Sequence, residues 1–187
     1  MGMLSGKSWV DKFPNSSSLD DLKEPFRTNA KSFVAALRKA GATADISSTY
    51  RPPERAYLMH YSFQVATNGL DPSTVPAMKG VDIDWTYKDT TGKTDLAASR
   101  KAAKDMIVAY GIVFAPSLSS RHTEGNAIDM DISWTGDLTI GTFDGKGTTT
   151  IRSEPRTGAN KELQTLGAAY RVFKLMTDPP HWSSDGH

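Results

Sequence analysis

The 187-residue chain is predicted to be an α+β protein, a small antiparallel sheet with flanking helices. Three observations carry that expectation. Helical and strand-like periodicities are mixed along the chain, without the regular strand–helix–strand rhythm of a parallel sheet. Residues 135–159 are rich in Gly and Thr and have hairpin spacing around Asp144-Gly145. No repeat and no linker composition interrupts the chain, so a single domain over residues 1–187 is expected, opening with an irregular leader over 1–24.

The elements follow in order. From Pro25 the apolar positions Phe26, Ala30, Phe33, Leu37 and Ala40 step by four and three, the spacing of one helix face; Pro25 suits the first turn and Gly41 the stop. Thr43 to Tyr50 reads as a short strand leading into Arg51-Pro52-Pro53. A second helix is expected from Pro53 to about Val65, ending near Asn68-Gly69. A loop containing Val81-Asp82-Ile83-Asp84-Trp85 follows. Thr94 to Tyr110 is a third helix, with Thr94 as cap and Gly111 as stop. The run Ala127-Ile128-Asp129-Met130-Asp131-Ile132 alternates apolar and acidic residues with the period of a strand, which puts Asp129 and Asp131 on one face. Leu138 to Phe143 and Thr148 to Arg152 form the hairpin, Asn160 to Ala169 a fourth helix, and Tyr170 to Met176 a β-like run before an irregular tail.

Composition narrows the function. An apolar fraction of 38%, a charged fraction of 23% and a net charge of +1 are those of a globular protein with no field to recruit nucleic acid or an acidic membrane. No apolar run approaches a membrane span, and the first residues lack the apolar core of a signal peptide. The protein is therefore expected to be made in the cytoplasm, and to need release or non-classical delivery if it acts in the periplasm or cell wall. There is no cysteine, so a tight transition-metal site must use imidazole and carboxylate, and only His60, His122, His181 and His187 are available.

Two carboxylates side by side on a strand repel, so Asp129 and Asp131 call for a cation or for water. A catalytic zinc site needs three protein ligands and one open position. His122, Asp129 and His181 can supply them: a Gly125 turn lets His122 fold back over Asp129, and His181 arrives from a separate segment. Asp178, three residues before His181 and separated from it by Pro179-Pro180, is placed to take a proton from an attacking water and return it to a leaving amine. On spacing alone, a surface loop histidine at 122 and a His181 packed beside Trp182 serve equally well.

The segment Ser120-Arg121-His122-Thr123-Glu124-Gly125-Asn126-Ala127-Ile128-Asp129 fits the pattern S-x-H-x-x-G-x-A-x-D. It resembles the zinc peptidases of the D-Ala-D-Ala carboxypeptidase family (peptidase family M15, VanY/VanX-like), which includes phage endolysins cutting between L-Ala and D-Glu of peptidoglycan. Asp178-Pro179-Pro180-His181-Trp182 is similar to that family's second motif, and Thr49-Tyr50-Arg51 to its S-x-Y-R strand end. The three motifs stand in family order over residues 47–182. The resemblance implies zinc held by His122, Asp129 and His181, Asp178 as general base and acid, Arg51 as an electrophilic or substrate-anchoring group, and a hedgehog/D-Ala-D-Ala-peptidase-like fold.

Other residues carry two readings each. Asp131 is a hydrogen-bond acceptor for a ligand imidazole or a solvated strand-end carboxylate. Ser120 bonds a substrate carboxylate or stabilises its loop, and Arg51 anchors substrate or pairs with Glu54. Trp182 is a candidate substrate contact, or buttresses His181. His60, among Tyr57, Tyr61 and Phe63, reads as structural; His187 reaches the site or frays. Asp82 and Asp84 are better read as a solvated loop than as a calcium site. The expectation is a monomeric zinc peptidase acting on peptidoglycan stem peptide, of L-Ala-D-Glu endopeptidase or D-Ala-D-Ala carboxypeptidase type, as a phage endolysin or delivered effector, with no nucleic-acid or membrane partner. The rivals are a cytoplasmic D-Ala-D-Ala dipeptidase and a non-catalytic, zinc-stabilised binding module.

Overall fold

The computed structural model describes residues 2–187. In chain order the elements are β1 (Met3–Leu4), α1 (Phe26–Lys39), β2 (Thr43–Ser48), α2 (Pro53–Ala66), β3 (Ile83–Asp84), α3 (Leu96–Tyr110), β4 (Ala127–Ser133), β5 (Leu138–Gly141), β6 (Thr148–Ile151), α4 (Lys161–Ala169), β7 (Phe173–Lys174) and β8 (His181–Ser183). Among the described residues this is an α+β arrangement with four α-helices. No helix among the described residues is long and apolar enough to cross a membrane.

The chain divides into two compact units, each built from two stretches of sequence. The first takes the N-terminal segment through Pro14 and then Pro52–Ser120. Here α2 and α3 bury Leu58, Val65, Ala103 and Met106 against Trp9 and Trp85. β1 and β3 pair in parallel, so a short parallel ribbon joins the expected antiparallel ones. Asp95 rather than Thr94 caps α3, its carboxylate accepting from the Ala98 N–H at 2.9 Å. Gly111 stops that helix in the left-handed conformation, as expected. Asp84 accepts from the Thr86 N–H at 2.8 Å and from its hydroxyl at 2.6 Å, the bonds of a polar turn.

The second unit, Asn15–Arg51 with Arg121–His187, holds a four-stranded antiparallel sheet in the order β2-β4-β8-β7. One face of it is core. Ile128, Met130 and Ile132 of β4 and Trp182 of β8 pack with Phe26, Phe33 and Leu37 of α1 and Leu163 and Leu166 of α4. Trp182 is 0% exposed, and its ring stands 5.6 Å from that of Phe33. Gly167 of α4 makes room for it, since a Cβ there would lie 2.8 Å from the indole. The alternation in β4 thus does what the sequence promised: apolar residues enter the core, and Asp129 and Asp131 take the opposite face. The hairpin β5–β6 forms at the expected place, with Gly145 at positive φ in its turn.

Three further expectations are corrected. The leader is not merely irregular, because it supplies buried Trp9 and Leu22 to the two cores. The strand after α4 is only Phe173–Lys174, because the chain turns at Leu175, whose N–H meets the His181 carbonyl at 3.1 Å. The tail is not irregular throughout: residues 181–183 are β8, paired on both sides.

Candidate metal centre

Strand register builds half of the site. Asp129 of β4 stands opposite His181 of β8, and directly opposed residues on antiparallel strands point to the same face. The Asp129 Oδ1 and His181 Nδ1 atoms are 3.0 Å apart. The rest comes from the turn before β4. The His122 carbonyl accepts from the Gly125 N–H at 3.2 Å, and the Arg121 carbonyl from the Asn126 N–H at 2.8 Å. Gly125 has φ +71°, a conformation that favours glycine, and a Cβ there would press on Lys23 at 3.1 Å. The turn folds His122 back until its Nε2 lies 3.1 Å from Asp129 Oδ1 and 3.2 Å from His181 Nδ1.

Three donor atoms therefore stand at the corners of a nearly equilateral triangle with edges of 3.0–3.2 Å. Atoms about 2.0–2.1 Å from a tetrahedral zinc are about 3.3 Å from one another. Outer hydrogen bonds orient both rings. His122 Nδ1 donates to the Thr49 carbonyl at 2.9 Å, and His181 Nε2 to the main-chain oxygen of His187 at 3.2 Å. Each ring then turns a lone pair toward Asp129. Two lone pairs and a carboxylate facing one point repel unless a cation joins them, so the residues fit a divalent metal. Both histidines are buried and Asp129 is partly so. Burial by itself pushes the Asp129 carboxyl up; with His122 and His181 protonated on the nitrogens that face it, in place of a metal, their bonds and charge outweigh burial and hold the group well below the usual carboxylate range. Among the described residues only these three side chains converge, which is the ligand count of a catalytic rather than a closed structural site.

The other expected residues fall differently. Asp178 is exposed in the turn between β7 and β8 and is not part of the converging set. Its carbonyl accepts from the His181 N–H at 3.1 Å, so its backbone is tied to the ligand. Arg51 lies just beyond β2, and its N–H donates to the His122 carbonyl at 3.1 Å. The end of that strand thus holds His122 from two residues, Thr49 and Arg51. Ser120 is the last residue of the first unit, whereas the three ligands belong to the second. Trp182, read as a substrate contact or as a buttress for His181, is core: its side chain is fully buried on the face opposite His181, which leaves the second reading. Asp131 is exposed, and the outer N–H groups of both ligand imidazoles go to main-chain oxygens instead, so it is the solvated carboxylate of its two readings. His60 is structural, its Nδ1 2.8 Å from the Pro116 carbonyl. His187 does reach the site, through its backbone rather than its ring.

Sequence reasoning missed Arg121 and Lys174. The Arg121 guanidinium bonds Glu124 and Asp185. The Lys174 ammonium bonds the carbonyls of Leu175, Asp178 and His181 at 2.6, 2.5 and 3.1 Å. Neither shows in a pattern of spacing, because the Lys174 partners are backbone oxygens and Arg121, beyond its local pair with Glu124, reaches Asp185 in a distant segment. Comparison with protein-family models and with curated proteins finds no match.

Proposed function

We propose that the protein is a zinc-dependent peptidase acting on the stem peptide of bacterial peptidoglycan, of the L-Ala-D-Glu endopeptidase or D-Ala-D-Ala carboxypeptidase type, with a hedgehog/D-Ala-D-Ala-peptidase-like fold. The observation that carries the reading is the His122–Asp129–His181 triangle, three lone-pair donors at zinc-ligand spacing on one sheet face. The motif resemblance supplies the substrate class, and release as a phage endolysin or delivered effector is the matching setting. Convergence of three side chains, not four, favours catalysis over a zinc-stabilised binding module.

His122, Asp129 and His181 would hold the metal, and zinc when bound polarises a scissile carbonyl and makes water a nucleophile at neutral pH. The residues around it have separate tasks. Asp178, exposed and hence reachable by solvent and substrate, takes the proton of the attacking water and passes it to the departing amine. Arg51, fixed through its backbone to the His122 carbonyl, offers a charge-assisted hydrogen bond to a substrate carboxylate or to the developing oxyanion.

Mass spectrometry of purified peptidoglycan after digestion tests the activity and the bond. New N-terminal D-Glu identifies the endopeptidase and lost terminal D-Ala the carboxypeptidase; an unchanged muropeptide profile with zinc-loaded protein sinks the proposal. Asp178→Asn is expected to keep its zinc and its melting temperature while hydrolysis falls by roughly 10²–10⁴-fold. If zinc affinity falls with the rate, Asp178 is a ligand and not the base. His122→Ala and His181→Ala are each expected to abolish stoichiometric zinc binding.

A further inference from the structure

We infer that Arg121 is a positioning residue of the metal centre, tying the loop that carries His122 to the tail that orients His181. The inference rests on the metal reading above. Arg121 directly precedes His122, and its side chain bonds both its own turn and the C-terminal segment. Its Nε donates to Asp185 Oδ1 at 3.1 Å, and its Nη2 donates to Asp185 Oδ2, a two-pronged grip on one carboxylate. Its Nη1 donates to Glu124 Oε2 at 2.5 Å, inside the Gly125 turn. One guanidinium thus bonds both ligand-bearing segments.

The tail it holds is a hook. The Ser183 hydroxyl oxygen accepts from the Gly186 N–H at 2.8 Å and from the His187 N–H at 3.1 Å. Gly186, at φ +84°, takes the left-handed turn that this closure needs. The hook delivers the His187 main-chain oxygen to His181 Nε2 at 3.2 Å. That bond decides which nitrogen of His181 carries the proton, and so which one faces Asp129. A lone exposed ion pair would add little. Here the pair joins a planar fork to a carboxylate whose own segment sets the tautomer of a ligand.

The test uses Arg121→Met, Arg121→Lys, Asp185→Asn and the Arg121→Met/Asp185→Asn double variant of the full chain. Zinc affinity is measured by competition with a chromophoric chelator, ligand geometry by the visible spectrum of the cobalt(II) form, and folding by the melting temperature of the metal-free protein. Arg121→Met and Asp185→Asn are each expected to bind zinc roughly 10–100-fold more weakly, with a changed cobalt spectrum. The double variant is expected to be no weaker than the worse single, because both changes cut one link. Arg121→Lys restores only part of the affinity, because lysine lacks the planar fork. Should Arg121→Met lower the metal-free melting temperature, Asp185→Asn, nearly isosteric, carries the same test. Wild-type affinity and spectrum in both single variants overturn the inference, as does full additivity. A wild-type protein that takes up no zinc overturns the metal reading itself, an outcome distinct from variants that match a zinc-binding wild type.

Discussion

The Tyr110 hydroxyl, at the end of α3, is buried with no hydrogen-bond partner among the described residues, and its ring lies under the Arg55 guanidinium at 4.7 Å. Burial is the main influence on it and pushes its pKa up to about 12, against a smaller opposite pull from Arg55. The sign follows from linkage. A phenol whose folded pKa lies above its unfolded value near 10 contributes stability that is fully present below pH 10 and is lost as pH rises toward 12. Tyr110→Phe removes the ionisable group and leaves no partner unsatisfied. Denaturant melts are expected to show near-equal stability for the two proteins at pH 7 and a more stable variant at pH 11; parallel curves across that range would mean the phenol ionises as freely folded as unfolded. The residue scale is also where the sequence was most informative about the site. His122, Gly125 and Asp129 were legible because one short turn and one strand bring them together, and local geometry is written in local spacing. The convergence of His181 needed the register of β4 against β8, a pairing of segments 52 residues apart that spacing does not encode. Arg121 was hidden because its role is defined by Asp185, at the far end of the chain.

At the scale of elements, helices and the hairpin were legible to within a residue or two, since periodicity and stop residues mark them. α1 runs to Lys39 ahead of Gly41, and α2 starts at Pro53 as its fixed φ suits. The short strands were harder. β8 is three residues long and reads as tail, because what makes it a strand is pairing to β4 and β7, not its own composition. The turn between β7 and β8 displays Asp178 and ends at His181, and Pro179-Pro180 cannot extend the ladder because they lack N–H donors. Lys174 compensates from the strand before the turn, its ammonium gathering three carbonyls of this segment. Burial draws the Lys174 ammonium below its ordinary range, opposed by the charges of Asp178 and Asp129. Lys174→Met keeps the stem and removes those bonds. The variant is expected to lose about 1–2 kcal/mol in urea unfolding, the scale of charged hydrogen bonds discounted for partial exposure. Wild-type stability would show that water meets the carbonyls equally well.

At the scale of the molecule, the chain passes between its two units at Pro14–Asn15, Arg51–Pro52 and Ser120–Arg121. Two of these points lie in short Ser-rich stretches, Pro14-Asn15-Ser16-Ser17-Ser18 and Pro116-Ser117-Leu118-Ser119-Ser120, and the third beside Pro52-Pro53; such stretches also mark ordinary loops, so the partition shows in which residues pack together. All three candidate ligands, the turn that presents His122 and the strands that present Asp129 and His181 belong to one unit. A metal bound there by the folded chain and not by the unfolded one stabilises by mass action, about 2.7 kcal/mol at a free zinc concentration one hundred times Kd. For a chain of this length that corresponds to roughly 5–10 °C in Tm. Adding a strong chelator is therefore expected to lower Tm by that amount in the wild type and to leave His122→Ala unmoved, because the variant has no metal to lose. Hydrogen exchange gives the same prediction in space: zinc should slow exchange at amides of β4, β8 and the 121–126 turn, whose side chains or backbone frame the triangle. A Tm indifferent to chelator, with exchange at those amides unchanged, would leave Asp129 bridged to its histidines by protons alone. The triangle would then be an ion-paired sheet face rather than a metal centre.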